Sequence, residues 1–447
     1  MKRFTTIILS STFFLITTSA FGWTEHALGV YPALEASKLV TNHRPVKVEE
    51  LQTFLMRHEK EIETLLAQEE EYAKANFESY QPLPAQLAFK ATGDSSTVVE
   101  RFIQSIRVNP KLKPMLYIQA DARKGCGNRS KFNHDIAIFN DKSLFARIDF
   151  CKIQVGDMVS ALDVLGTASD EPDHGMDVDL FSDSHTSFGN EYGFGEMPFG
   201  DPRSEYGNQA PFHMGFYHEA GIVFAAAPFL KKNYPAYRSH LYRSLSLFAL
   251  KKGNDYWGLR FLGWGLHFVT DLTQPYHSSV LPGVSTLRML WINILSMIGF
   301  GSYKENAINL VANRHTALEE LQWSLLHEIS VNRQLDHPLL KALADRSTDT
   351  SYPKVDDRFL QDVVSKEAEG RSVEVDALLV NALPEKYVND PSFVYSPDDK
   401  ARVLDEARNH GDKSYQALTG FLERLFRSLG AHSRNYVESA LTEAEAN

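Results

Sequence analysis

Two stretches carry side chains whose types and spacing suit metal chemistry. The first is His267-Phe-Val-Thr-Asp271-Leu-Thr-Gln-Pro275-Tyr-His277, which follows an apolar run from Tyr256 to Leu266. On a helix, residues four apart lie on one face, so His267 and Asp271 address one point. Pro275 cannot continue that helix, and the turn it forces lets His277 address a neighbouring point. The second is Asn313-Arg-His315-Thr-Ala-Leu-Glu319, again a His and an acid one turn apart. Nitrogen and carboxylate ligands of this kind suit Zn²⁺. One such pair decides nothing, because a chain with 16 His and 57 acidic residues contains roughly two by chance. The competing reading of each pair is a buried His salt-bridged to its neighbour.

Further candidates lie upstream. Met1-Lys2-Arg3, the apolar run from Thr6 to Thr18 and Ala20-Phe21-Gly22 have the pattern of a secretory leader spanning residues 1–22. Its removal would place the protein in a secreted or periplasmic compartment and make Trp23 the first residue. A free α-amino group titrates near neutrality, so the Trp23 amine and carbonyl could chelate an ion, with His26 joining them. Otherwise Trp23 is a core aromatic and His26 a surface residue. Asp170, Asp173, His174 and Asp177 crowd one segment, and His213 and His218 another. Cys126 and Cys151 are the only cysteines, and in an oxidising compartment they pair most simply with each other. The net charge of −11, or −13 once Lys2 and Arg3 depart, argues against charge-driven binding to nucleic acid.

The elements that must position these residues are mostly helices. Helical patterns cover 45–75, 212–232, 236–251, 256–273, 303–331 and 399–443. Met115–Ile118 and Ala137–Phe139 read as short strands or buried segments. Residues 170–211 form a long Gly-, Asp- and Ser-rich loop, and loops of that length usually carry function. Asp349–Asp357 reads as a further loop. No segment is long enough to span a bilayer.

Taken in order, the N-terminal Trp, a nearby His, a Gly…Asp segment, a His ahead of long helices, His-x3-Asp-x5-His and His-x3-Glu resemble the ligand set of the zinc-dependent phospholipase C / S1-P1 nuclease superfamily. The Asp-His-Gly-Met-Asp and Ala-Pro-Phe-His-Met-Gly-Phe segments are similar to those of a bacterial branch of secreted zinc metallophospholipases C. The resemblance implies a mainly α, multi-helix bundle around a trinuclear zinc site. Asp170, His213, His267 and Asp271 would hold one ion, and His277, His315 and Glu319 a second. Trp23 and His26 would hold the third, bridged by Asp271. Asp173 and Asp177 compete with Asp170, His218 with His213, and His43 with His26. His174 and His185 read as solvated loop residues or as partners of the ligands.

The implied reaction is hydrolysis of the glycerol-side phosphodiester of a phosphatidylcholine-like lipid, giving diacylglycerol and a phosphorylated headgroup. Zinc would activate water, with Asp170 orienting it or taking its proton. The expected partner is a phospholipid membrane surface. A single-strand nuclease with the same metals is the alternative, and a zinc-stabilised binding protein a third reading.

The 37 residues between His277 and His315 exceed the simplest pattern of the superfamily. They contain the apolar insertion 280–302, which reads either as a buried helix or as an interfacial lid placing Trp291, Ile292 and Leu295 in lipid. The expected organisation is a catalytic domain over 23–330 and a helical C-terminal region over 331–447 that packs on it.

Overall fold

The computed structural model describes residues 23–204 and 206–446, so the leader expected at 1–22 lies outside the described residues. The helical patterns become a mainly α fold. The helices that matter for the site are α1 (His26–Glu35), α2 (Leu51–Arg57), α3 (Glu59–Asn76), α4 (Ala161–Ala168), α5 (Ala210–His213), α6 (Gly221–Ala226), α7 (Pro235–Lys251), α8 (Asp255–Asp271), α9 (Pro275–Ser278), α10 (Thr286–Met297), α11 (Ser302–Val331), α12 (Pro397–His410) and α13 (Asp412–Glu445). Two small antiparallel pairings complete the outline, Val46–Lys47 with Met158–Val159 and Tyr117–Gln119 with Phe150–Lys152.

Helix α8 is the axis of the molecule. Every residue from Tyr256 to Asp271 is buried, as expected of a helix that is apolar all round. Its glycines let neighbours approach. A Cβ on Gly263 would lie 2.4 Å from Ala168 of α4, and one on Gly265 would lie 2.2 Å from the Tyr436 hydroxyl of α13. Helices α4, α7 and α13 all pack against α8. The helix stops at Asp271 because Pro275 starts α9, whose N-cap Gln274 accepts the Tyr276 amide.

The C-terminal region is part of this packing. Helix α13 lies against α1, α7 and α8, and α12 against α11. One large apolar core surrounds α8, and a second is built from α11, the helix Ser372–Ala382 and α13. Cys126 and Cys151 form the expected disulfide.

Several sequence expectations are corrected. Residues 212–232 do not form one helix. After α5 the chain is extended at Met214, the Gly215 amide donates to His277 O, and Pro228 starts a separate 3-10 turn after α6. Pairing the backbone with α9 outweighs local helix propensity there. Helix 399–443 is two helices, divided at Gly411. Ala137 and Phe139 are buried and Ile138 is half-buried, without forming a strand, whereas Tyr117–Gln119 forms one. The 170–211 segment is largely interior, with nearly every residue from Asp170 to Phe181 buried. Asp349–Asp357 is the expected loop, irregular apart from one 3-10 turn at Asp349–Ser351.

The apolar insertion forms α10, which is buried on one side only. Met289 and Ile292 face inward, while Leu287, Trp291, Ile294, Met297, Ile298 and Phe300 are each at least half exposed. Ile292 is therefore a core contact and not a surface one, and Leu295 is half-buried. No helix among the described residues is long and apolar enough to cross a membrane.

Candidate metal centre

Eight side chains from six elements meet at the carboxyl end of α8. They form three metal-type groups: His26, His267 and Asp271; Asp173, His213 and His267; and His277, His315 and Glu319. All eight residues are buried. His267 and Asp271 sit one turn apart on α8, with Nε2 3.2 Å from Oδ2. His213, at the end of α5, brings Nδ1 to 2.9 Å from Asp271 Oδ2 and 3.0 Å from His267 Nε2. His26 opens α1, and its Nε2 lies 3.5 Å from Asp271 Oδ1 and 3.4 Å from Asp173 Oδ2. His315 Nε2 and His277 Nε2 approach Glu319 Oε1 at 2.8 and 3.8 Å.

Neighbouring oxygens decide which nitrogen of several rings faces the centre. A carbonyl can only accept, so Ser169 O, 2.7 Å from His267 Nδ1, fixes the hydrogen there and leaves Nε2 bare in the neutral ring. His213 O does the same for His277 at 2.7 Å. The Thr270 hydroxyl donates to His267 O, so it accepts from His26 Nδ1–H at 2.6 Å. Such outer partners orient metal-binding imidazoles.

Six of the inward atoms are left without a hydrogen-bond partner. His26 Nε2, Asp173 Oδ2, Asp271 Oδ1, His277 Nε2, His315 Nε2 and Glu319 Oε1 are buried and make no hydrogen bond. Buried polar atoms normally find partners, and a cluster of unsatisfied ones is costly. Divalent cations would satisfy the whole set at once, and N and O donors of this kind fit zinc. Without ions the site titrates abnormally. Burial lowers His315 to about 3 and raises Glu319 to about 8. Burial would also lower His267, but Asp271 and Asp173 outweigh it and raise the ring to about 9. Burial is likewise outweighed at Asp271, which His267 and His213 hold well below the usual carboxylate range.

No protein-family model, no curated protein and no solved structure matches this chain. The site must therefore be judged on its own geometry. Seven residues expected from the sequence stand in the three groups: His26, His213, His267, Asp271, His277, His315 and Glu319. Asp170 does not. Its Oδ1 accepts the amides of His26 and Ala27, capping α1, and its Oδ2 accepts Gln119 Nε2. Burial, with Glu25 and Asp173 nearby, pushes its pKa up. Asp173, one 3-10 turn further on, stands in one of the groups instead. Asp177 is paired with Arg238, its other oxygen 3.7 Å from His213 Nε2.

Of the remaining candidates, His43 is half-buried and donates to Arg44 O. His218 donates to Gln361 O at 2.7 Å. His185 is exposed, as expected. His174 is not solvated. It is buried 3.0 Å from the Tyr117 hydroxyl, and burial lowers it to about 4. Trp23 is buried, with its indole donating to Thr270 O and Thr273 Oγ1 at 2.8 and 3.0 Å, on either side of Asp271 in the chain.

Sequence reasoning missed Glu25 and Glu171. Glu25 accepts from Trp323 and Gln119 at 3.1 Å each, and burial raises it to about 7. Glu171 is clamped by Arg260 and Trp264 of α8, which fixes the turn carrying Asp173. Only the adjacency of Glu25 to His26 and of Glu171 to Asp173 marks them in the sequence.

Proposed function

We propose that this chain is a secreted zinc-dependent phospholipase C of the phospholipase C / S1-P1 nuclease superfamily, with a phosphatidylcholine-like lipid as its substrate. The observation that carries the reading is the convergence of eight buried metal-type side chains with unpartnered inward atoms, beside a helix that exposes an apolar face.

Three zinc ions fit the donors. Asp173, His213, His267 and Asp271 would hold one. His277, His315 and Glu319 would hold a second. His26 and Asp271 would hold the third, with the amine and carbonyl of Trp23 once residues 1–22 are removed. When bound, the ions supply Lewis acidity at the phosphate and lower the pKa of coordinated water toward neutrality.

The chain's own residues do the rest. Asp271 offers Oδ1 toward His26 and Oδ2 toward His213 and His267, so it bridges two groups. Ser169 O, His213 O and Thr270 hold three imidazoles in the required tautomer. Asp173, whose Oδ2 makes no hydrogen bond, would orient the attacking water and accept its proton. Arg238 holds Asp177 behind His213. The exposed face of α10, with Arg288 its one charged residue, rests on the lipid surface and brings the headgroup to the centre.

The test is an assay of the mature protein on phosphatidylcholine vesicles, phosphatidylglycerol vesicles and single-stranded DNA, with and without a chelator. Headgroup phosphate should be released from phosphatidylcholine, cease with the chelator and return with zinc. His267→Ala should abolish the activity. Cleavage of DNA but not lipid, or lipid hydrolysis indifferent to the chelator, would overturn the reading.

A further inference from the structure

An apolar cavity lies under α10 and ends at the metal centre. Phe216, Ala227, Met289, Ile292, Ile308 and Val311 are among its walls, and His315 and Tyr276 also line it. Tyr276 stacks on the His315 ring with centroids 5.4 Å apart. The space is partly enclosed and partly open to solvent. Asn293 and Lys304 are the few polar side chains on the walls. Protein interiors are close-packed, so an enclosed apolar void has a cost that an apolar ligand removes.

The dimensions suit a chain rather than a ring. Lys304 and His315 both line the cavity and both lie on α11. Eleven residues of helix separate them by roughly 16 Å. That is about half the ~30 Å hydrocarbon thickness of a bilayer, and so about one acyl chain. The outer wall, α10, turns Met289 and Ile292 into the cavity and Trp291, Ile294 and Met297 to solvent. One helix therefore has an apolar face toward the cavity and another toward the medium.

We infer that this cavity receives one acyl chain of the lipid whose phosphodiester lies at the metal centre, the second chain staying with α10 and the membrane. The inference rests on the phospholipase reading and adds a chain-length requirement to it.

The test uses zinc-loaded protein and n-alkylphosphonates from ethyl to dodecyl, with binding followed by calorimetry. Each added CH₂ should tighten binding by about threefold to fourfold until the cavity is filled. Ala227→Trp and Ala307→Trp fill the cavity from opposite walls, and thermal melting and zinc content check that each variant is folded. Both should flatten the series. As a measurement that needs no variant, a dodecylphosphonate with a photoreactive tail should label the stretch containing Ile308 and Val311. A wild-type series flat in chain length, plugged variants that keep the slope, or labelling confined to Leu287 and Trp291 would each overturn the inference. The two claims fail separately. Phospholipid hydrolysis with a flat series overturns the acyl site and leaves the phospholipase reading standing. A steep series without lipid hydrolysis upholds the acyl site and ends the phospholipase reading.

Discussion

Ser169 O, His213 O and Thr270 each take one ring hydrogen, so His267, His277 and His26 turn a bare nitrogen to the same small volume. Asp170 and Asp173 are chemically alike and three residues apart, yet their surroundings divide their roles. Asp173→Asn should remove one ion, measured as zinc per chain. Asp170→Asn should keep the zinc and lower stability by about 1–2 kcal/mol, the value of a helix cap; the opposite pattern would return the ligand role to Asp170. Metal and pH are also linked. In metal-free protein Glu319 and His267 are raised to about 8 and about 9. A raised group stabilises fully below its unfolded pKa, and that contribution is lost as pH rises through the folded value. Chelated protein should therefore lose about 3 kcal/mol or more between about pH 5 and 9, while zinc-loaded protein does not. The gap in melting temperature between the two forms should widen over that range. The spacing of His267, Asp271, His277, His315 and Glu319 was legible because each helical pair shares one face. The choice among Asp170, Asp173 and Asp177 was not, because a 3-10 turn and a helix cap leave no periodic signal.

At the scale of elements, α8 carries the centre and Glu171 ties the Asp173 turn to it. The Arg260 guanidinium and the Trp264 indole both donate to the Glu171 carboxylate, and the pair is fully buried. Removing one partner leaves a charge unpaired in the interior. Glu171→Gln should cost about 3–5 kcal/mol in urea unfolding, and Glu171→Gln with Arg260→Met less than the sum. Equal costs adding without coupling would mean that the pair is not the anchor. Helices α7, α8 and α11 were readable because their apolar patterns are long and their ends are marked by Pro235 and Pro275 or by polar loops. The 212–232 stretch misled because its composition is helical while its backbone pairs with α9, a long-range demand that local sequence does not display. The insertion was legible as apolar but not as two-faced. That depends on α11 and α6 lying under one side of α10 only.

At the scale of the molecule, an acidic chain gathers three carboxylates and five imidazoles between two apolar cores. The C-terminal helices close around the centre from the far side, with α13 against α1, α7 and α8. The mainly helical character was evident from the sequence, but this closure was not, because it joins segments some four hundred residues apart, as Arg434 does in donating to Ala33 O. The centre therefore draws on most of the chain length. The most direct measurement is the zinc content of the mature protein after stripping, reloading and exhaustive dialysis, read by elemental analysis. The account predicts three ions per chain, falling when His277 or His315 is replaced by alanine. A protein that retains no zinc at neutral pH, or whose bound zinc is indifferent to those replacements, would contradict it.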